Sequence, residues 1–407
     1  MDRKWVESVI ERLAQWGQDK QGTNRQAFTA EDWQAKEYFM ELMKEAGLTV
    51  RTDAFGNIIG RLEGSDPSAT AVAAGSHLDT VPQGGKYDGI VGVVGALAAF
   101  KRLKQQGELT HPLELIIFAA EESSRFGFAT MGSKVMAGTA TTNGWSKAKD
   151  QSGLSLAEAL SAQGFDLQAI NTAKRKKEDF KAFVELHIEQ GPVLEAENLT
   201  IGIVEAIAAP TRLKITIEGM AAHSGATPMN QRRDALVSAA MVVLAVQEIA
   251  TEQAHLGTVG TVGVLKVHPG AMNVVPGLVE MWVDIRGIDH DSIIETLQEV
   301  KDAVSTIAEE QDTPVAIEVL SSDKPVHMSE NVKTVIEEAC RKSGFSYRRM
   351  PSGAGHDAMN MTVLTSAGMI FIPCKEGISH NPEEHAEIDD IMAGITVLTE
   401  TLYQLAK

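Results

Sequence analysis

Apolar residues recur at helical spacing in residues 1–18, where Trp5, Val9, Leu13 and Trp16 fall on one stripe. A second helix is predicted over Thr29–Ala46, opened by Thr29 as a cap with Asp32 three residues on. Short apolar runs at Leu48–Asp53, Asn57–Leu62, Thr70–Gly75 and Leu113–Ala120 read as strands, and the apolar helix Gly89–Leu103 separates the last two. This alternation, which resumes at Lys181–Ile188, predicts an α/β fold with a mixed, largely parallel sheet.

The pattern changes between two breaks, Ala206–Pro210 and Ser321–Ser329. Strand Arg212–Glu218, helix Arg232–Glu252, strands Gly257–Val267 and Val274–Arg286, helix Asp291–Glu310 and strand Val315–Leu320 spell β-α-β-β-α-β, a ferredoxin-like order. Afterwards the first pattern returns in helix Glu330–Ser343, strands Ser346–Met350 and Met369–Pro373, and helix Asp389–Ala406. The expected division is therefore 1–210 with 326–407 as one discontinuous catalytic domain and 211–325 as an inserted domain. That insert is expected to act as a lid and to offer a helix and an edge strand for homodimerisation.

Composition narrows the setting. A chain of 407 residues, 43% hydrophobic and 23% charged, buries a large core and commonly divides into two domains. Its net charge of -18 opposes nucleic acid and anionic membrane surfaces as partners. The charged, amphipathic start does not resemble a signal peptide, and no run approaches the roughly 18 apolar residues that span a bilayer, so a cytoplasmic location is expected. The two cysteines, Cys340 and Cys374, make no disulfide framework and no paired zinc signature.

Candidate chemistry lies in His77 of G-S-H-L-D-T, Asp88 of K-Y-D-G, the pair Glu121-Glu122, His187 of E-L-H-I-E-Q-G and His380 of I-S-H-N-P. His77 and Asp79 are two apart at a strand end, which puts them on one face and lets Asp79 fix the imidazole tautomer. Asp88 precedes a helix in a glycine-rich loop, where a carboxylate can bridge two ions. Of two adjacent glutamates only one points readily at a given metal, and the other is left to take a proton from an activated water.

These motifs, with A-E-E-S-S-R-F, H-S-G-A-T-P-M-N-Q-R-R-D-A and S-G-A-G-H-D-A, resemble the M20 family of dinuclear metallohydrolases over nearly the whole chain. The resemblance is strongest to its amidase, hydantoinase and carbamoylase branch. It implies two divalent ions per subunit, zinc first, with manganese, cobalt or nickel fitting the same donors. One ion would take His77 and His187, the other Glu122 and His380, with Asp88 between them and Glu121 as the general base. With His187 in place of the acidic residue common elsewhere in the family, the loaded site keeps a charge of roughly +1, which suits an anionic substrate. The branch pattern further implies that Arg286 binds a substrate carboxylate, that Asn273 and Gln190 hydrogen-bond the substrate and that His223 stabilises the oxyanion. Gly353, Ala354, Gly355 and His356 would wall the pocket, with Asp357 beside them. The implied reaction is hydrolysis of the carbamoyl C–N bond of N-carbamoyl-L-amino acids, small anionic ureido compounds, to L-amino acid, CO2 and NH3. Allantoate is the alternative substrate, and an M20 aminoacylase or peptidase the next. The chain departs from the branch at Ser123, where E-E-G-x-R-F is usual.

Overall fold

A computed structural model describes residues 3–66, 68–107 and 109–407. The chain divides into two compact units, Met1–Glu205 with Met328–Lys407, and Ala206–His327. The inserted unit thus begins five residues before the expected boundary at 211 and ends two after 325.

The first unit is built on a sheet whose central strands run in the order Ser366–Ile372, Phe180–Ile188, Ala71–His77, Leu113–Phe118. These four are parallel. On one side Ile58–Leu62 and Thr49–Thr52 continue the sheet antiparallel, and on the other Ile201–Ile207 pairs antiparallel with Ser366–Ile372. The sheet is therefore parallel only at its centre, and the expectation of a largely parallel sheet is corrected. Ala71–His77 and Leu113–Phe118 are buried at every position, which is why they read as unbroken apolar runs rather than as alternating ones. Helices Ile90–Gln106 and Ile388–Ala406 pack on this sheet through Val91, Val94, Leu97, Ile395, Leu398 and Leu402. The parallel strands end together, and in open α/β sheets the crevice outside their carboxyl ends is where ligands bind.

The second unit is a four-stranded antiparallel sheet in the order Val259–His268, Leu278–Gly287, Ala209–Glu218, Val315–Ser322. Helices Ala235–Glu252 and His290–Glu310 cover one face, burying Val242, Val246, Val300 and Val304 against Leu213, Ile215, Met281 and Val283. One expectation fails here. The stretch Ala235–Leu256 is long and apolar enough to cross a membrane by length and composition. Its Ala235, Ala239, Val242, Val246 and Ala250 nevertheless pack into the core of this unit, as a core helix does, while Val237 and Leu244 are exposed.

Candidate metal centre

His77 closes the strand Ala71–His77, and its Nδ1 lies 2.9 Å from the backbone carbonyl of Asp79. That carbonyl, not the Asp79 carboxylate at 3.9 Å, fixes the tautomer that turns Nε2 inward. The strand stops before Asp79, so the two residues do not share a strand face as expected. The Asp79 carboxylate instead accepts the backbone N–H groups of Glu121 at 3.3 Å and Glu122 at 3.0 Å. It holds the glutamate pair by its main chain, directly after Ala120, which sits in the left-handed region at φ 53.

Asp88 stands at the centre. Its Oδ1 is 3.5 Å from His77 Nε2 and 3.1 Å from His187 Nε2, and its Oδ2 is 3.1 Å from His380 Nε2. His380 Nε2 is in turn 3.3 Å from Glu122. Two donor groups result, His77–Asp88–His187 and Asp88–Glu122–His380, each compact enough to hold one ion, and they share Asp88. The residue after Asp88 must be glycine. Gly89 has φ +70, and a Cβ there would stand 2.5 Å from the His77 ring.

The donor types fit a divalent ion: imidazole nitrogen and carboxylate oxygen, buried except at His380, which is exposed. Burial opposes charging of His77, yet Asp88, Glu121 and Asp79 hold its pKa well above the ordinary value. Burial likewise opposes ionisation of Asp88, and hydrogen bonds from His187, His380 and His77 outweigh it and hold Asp88 well below. At His380 the hydrogen bonds to Asp88 and Glu122 raise the pKa to about 10. The imidazoles thus carry the positive charge that a pair of cations supplies to such a set. Glu121 belongs to neither group. Burial, opposed by His77 and reinforced by Glu122 and Asp357, pushes its carboxyl well above the usual range.

Two partners, Glu384 and Glu185, were not anticipated from the sequence. Glu384 accepts the N–H groups of Tyr87 at 2.9 Å and Asp88 at 3.1 Å, fixing the loop that presents the shared carboxylate. Nothing in N-P-E-E-H distinguishes it from its neighbour Glu383. Glu185 lies behind His187 and is held by Ser76 Oγ at 2.7 Å and the Ala358 N–H at 2.9 Å. Its signal was present, since it stands two residues from His187 on a strand whose only other polar residue is the exposed Lys181. His356 packs its ring 4.5 Å from that of His187, and burial, then the His187 charge, hold its pKa well below the ordinary value. Asp357, also buried, accepts from Ser133 Oγ.

Gln190 donates from its amide to Asp88 Oδ2 at 2.8 Å. It lines a cavity of about 580 Å3 with Gly353, Ala354, Ser379, His380 and Arg348. The expected row of backbone donors is reduced, because the Ala354 N–H turns back to Ser352 Oγ at 3.2 Å. Ser123 lies in a turn outside the left-handed region, so the missing glycine costs no backbone strain.

In the inserted unit, His223 pairs with Val274 in a two-stranded ribbon, and the Ser224 N–H donates to the Asn273 carbonyl at 3.0 Å. These two residues are brought together. Arg286 is not with them. The Gly219 N–H donates to the Gly277 carbonyl, which ties the ribbon to the Leu278 end of strand Leu278–Gly287. Arg286 stands eight residues along that strand, roughly 27 Å at about 3.4 Å per residue. Within one chain, therefore, Arg286 stands apart from His223 and Asn273. Arg286 is oriented by Asp284, which accepts from its Nε at 2.7 Å and its terminal nitrogen at 3.1 Å.

The model of peptidase family M20/M25/M40 matches residues 73–404, which include every residue of the two donor groups. The chain belongs to this family. It is a hydrolase, and among its relatives the amidohydrolases are well represented. It is 41% identical to N-carbamoyl-L-amino acid amidohydrolase of Geobacillus stearothermophilus over 98% of both chains. Ureidoglycolate hydrolase of Oryza sativa subsp. japonica is 38% identical over 100% of this chain and 85% of its own. Allantoate amidohydrolase of Escherichia coli is 36% identical over 99% and 98%. A solved amidase of the hydantoinase/carbamoylase family from Burkholderia multivorans superposes with a TM-score of 0.93 at 36% identity, covering 100% of this chain and 98% of that one. As a member of the M20 family acting on carbon–nitrogen bonds, the protein stands with the amidohydrolases of linear amides.

Proposed function

We propose that this M20 hydrolase cleaves the carbamoyl C–N bond of N-carbamoyl-L-amino acids. The observation that carries the reading is the pair of donor groups joined through Asp88, with Glu121 buried beside them and committed to neither. His77 and His187 would hold one ion and Glu122 and His380 the other, with Asp88 common to the two donor groups. Two bound divalent ions, zinc or manganese first, supply Lewis acidity toward the carbamoyl oxygen and lower the pKa of water.

Glu121 accepts the proton of the attacking water and returns it to the departing amino nitrogen, so that the C–N bond breaks as the new C–O bond is retained. The products are the L-amino acid and carbamate, which decays to CO2 and ammonia. Gln190 and the wall Gly353–His356 contact the bound substrate. Arg286, aligned by Asp284, grips the α-carboxylate in a two-pronged contact that a lysine cannot reproduce. His223 donates to the oxyanion, and Asn273 beside it binds the substrate.

The separation of Arg286 from the ribbon supports a working homodimer, in which the two contacts on one substrate come from different chains. The inserted unit offers a surface for it, since helix Ala235–Glu252 exposes Val237 and Leu244 and the edge strand exposes Val264 and Leu265. Closure of that unit as a lid would complete the site.

Allantoate is the second reading, favoured by the identity to its amidohydrolases and by the same need for a ureido group and a carboxylate clamp. Ammonia release from N-carbamoyl-L-methionine, allantoate, ureidoglycolate and N-carbamoyl-β-alanine, with free methionine measured for N-acetyl-methionine, tests both. Turnover of N-carbamoyl-L-methionine above the rest is expected. Turnover of N-acetyl-methionine alone would sink the carbamoyl reading.

A further inference from the structure

Arg25 is fully buried and, among the described residues, bonds no carboxylate. Its Nε donates to the Leu78 carbonyl at 2.7 Å, and one terminal nitrogen donates to the carbonyls of Leu13 at 2.6 Å and Trp16 at 3.0 Å. Among the described residues its other terminal nitrogen has no hydrogen-bond partner. A buried guanidinium without an ion pair is costly and calls for a reason.

The reason lies in what it grips. The Arg25 backbone is zipped to Thr80, its N–H donating to Thr80 Oγ1 at 2.9 Å and its carbonyl accepting the Thr80 N–H at 2.9 Å. Arg25 therefore holds the chain on both sides of Asp79, at Leu78 and at Thr80. The neighbouring buried Asp32 bonds Lys36 at 2.8 Å and the Phe28 N–H at 2.8 Å. Two buried carboxylates act on the guanidinium, Asp32 first and Asp79 second, and of these Asp79 lies within the segment that Arg25 grips. Asp79 in turn anchors the amides of Glu121 and Glu122, and its carbonyl anchors His77.

We infer that Arg25 is a positioning residue for the reaction, acting through the Leu78–Thr80 segment and Asp79 to set the Glu121-Glu122 pair and the His77 ring. It touches neither substrate nor ion. The inference rests on the proposed site, and its test separates the two. Arg25→Lys keeps the charge, but its single nitrogen cannot stand at both the Nε and the terminal positions from which the three carbonyls are bonded. The folded variant should bind Mn2+ 10- to 100-fold more weakly by chelator competition, the range seen when the groups behind metal ligands are removed. With whichever substrate the wild-type enzyme turns over, kcat should fall about ten-fold at saturating Mn2+ while KM stays within about three-fold. In an Asp79→Asn background, Arg25→Lys should weaken Mn2+ less than three-fold further, because the two residues act in series.

Wild-type Mn2+ affinity and kcat in Arg25→Lys, with only Tm lowered, would make Arg25 a core brace and overturn the proposal. Losses that multiply in the double variant would overturn it as well. If Arg25→Lys does not fold, Thr80→Val replaces it: it cuts the backbone zipper and should show the same pattern at smaller size, and normal Mn2+ affinity and kcat there would refute the role. An enzyme inactive on every ureido substrate but still losing Mn2+ affinity in Arg25→Lys would sink the reading of function and leave this one standing.

Discussion

His77, Asp88 and His187 are no more than 7% exposed, each placed by a strand end or a capped loop, whereas His223 is exposed on a two-residue ribbon and Arg286 is half-buried beside Asp284. The first set is held by main-chain carbonyls and amides before anything binds. In the second, the Asp284 side chain orients Arg286 and His223 stands on the short ribbon. On the proposed reading, groups that must place charge to within tenths of an ångström are preorganised at the ends of the central strands, and groups that grip a substrate's periphery stand on the inserted unit. The contrast predicts that damage to the first set removes chemistry, and damage to the second removes selectivity.

The largest effect should come from stripping the centre. A strong chelator should abolish activity, with recovery on adding Zn2+, Mn2+, Co2+ or Ni2+; full activity in a preparation verified free of metal would end the dinuclear reading. Next, Glu121→Gln should keep fold and metal content while kcat falls by roughly 100-fold or more. Turnover near wild type would move the base elsewhere.

In the inserted unit the loss should be smaller and substrate-dependent. Arg286→Lys should lower kcat/KM by roughly 30-fold or more, the scale of a lost charge-assisted contact of about 2–5 kcal/mol. An N-carbamoyl amino acid amide, poor with the wild type, should be almost unaffected. Equal losses on both substrates would make Arg286 structural. The smallest signal sharpens the comparison most. Mixing His223→Ala with Arg286→Lys homodimers under exchange should restore activity toward about a quarter of wild type, because half the dimers are hybrids with one intact site each. No recovery in verified hybrids would return both contacts to one chain.

Much of the first unit was legible because its signals are local. A continuous apolar run marks a strand buried on both faces, and His77, Asp88, Glu121, Glu122, His187 and His380 all stand where such strands or their loops end. The detail that failed was equally physical. Asp79 looked like a carboxylate behind an imidazole, but the strand stops at His77 and the carboxylate swings to the amides of the glutamate pair. Glu384 reaches Tyr87 across 297 residues of sequence and Arg25 reaches Leu78 across 53, and no spacing rule reveals either contact. In the inserted unit the strand order was readable, while the distance between Arg286 and Asn273 was not. Thirteen residues of sequence conceal it, because the chain between them first turns and then runs the length of the sheet.

The single carboxylate of Asp88 makes the centre a proton reservoir as well as a cation trap. The carboxylates around them bias His77, His187 and His380 toward their protonated forms, His77 and His187 against the effect of burial and His380 by direct hydrogen bonds to Asp88 and Glu122. An ion would have to displace those protons to gain its nitrogen ligands, so apparent affinity should fall by about ten-fold per pH unit for every proton displaced as the medium is acidified. Because both donor groups draw on Asp88, filling one should alter the affinity of the other. Acidity then joins metal supply in setting how much of this enzyme is switched on.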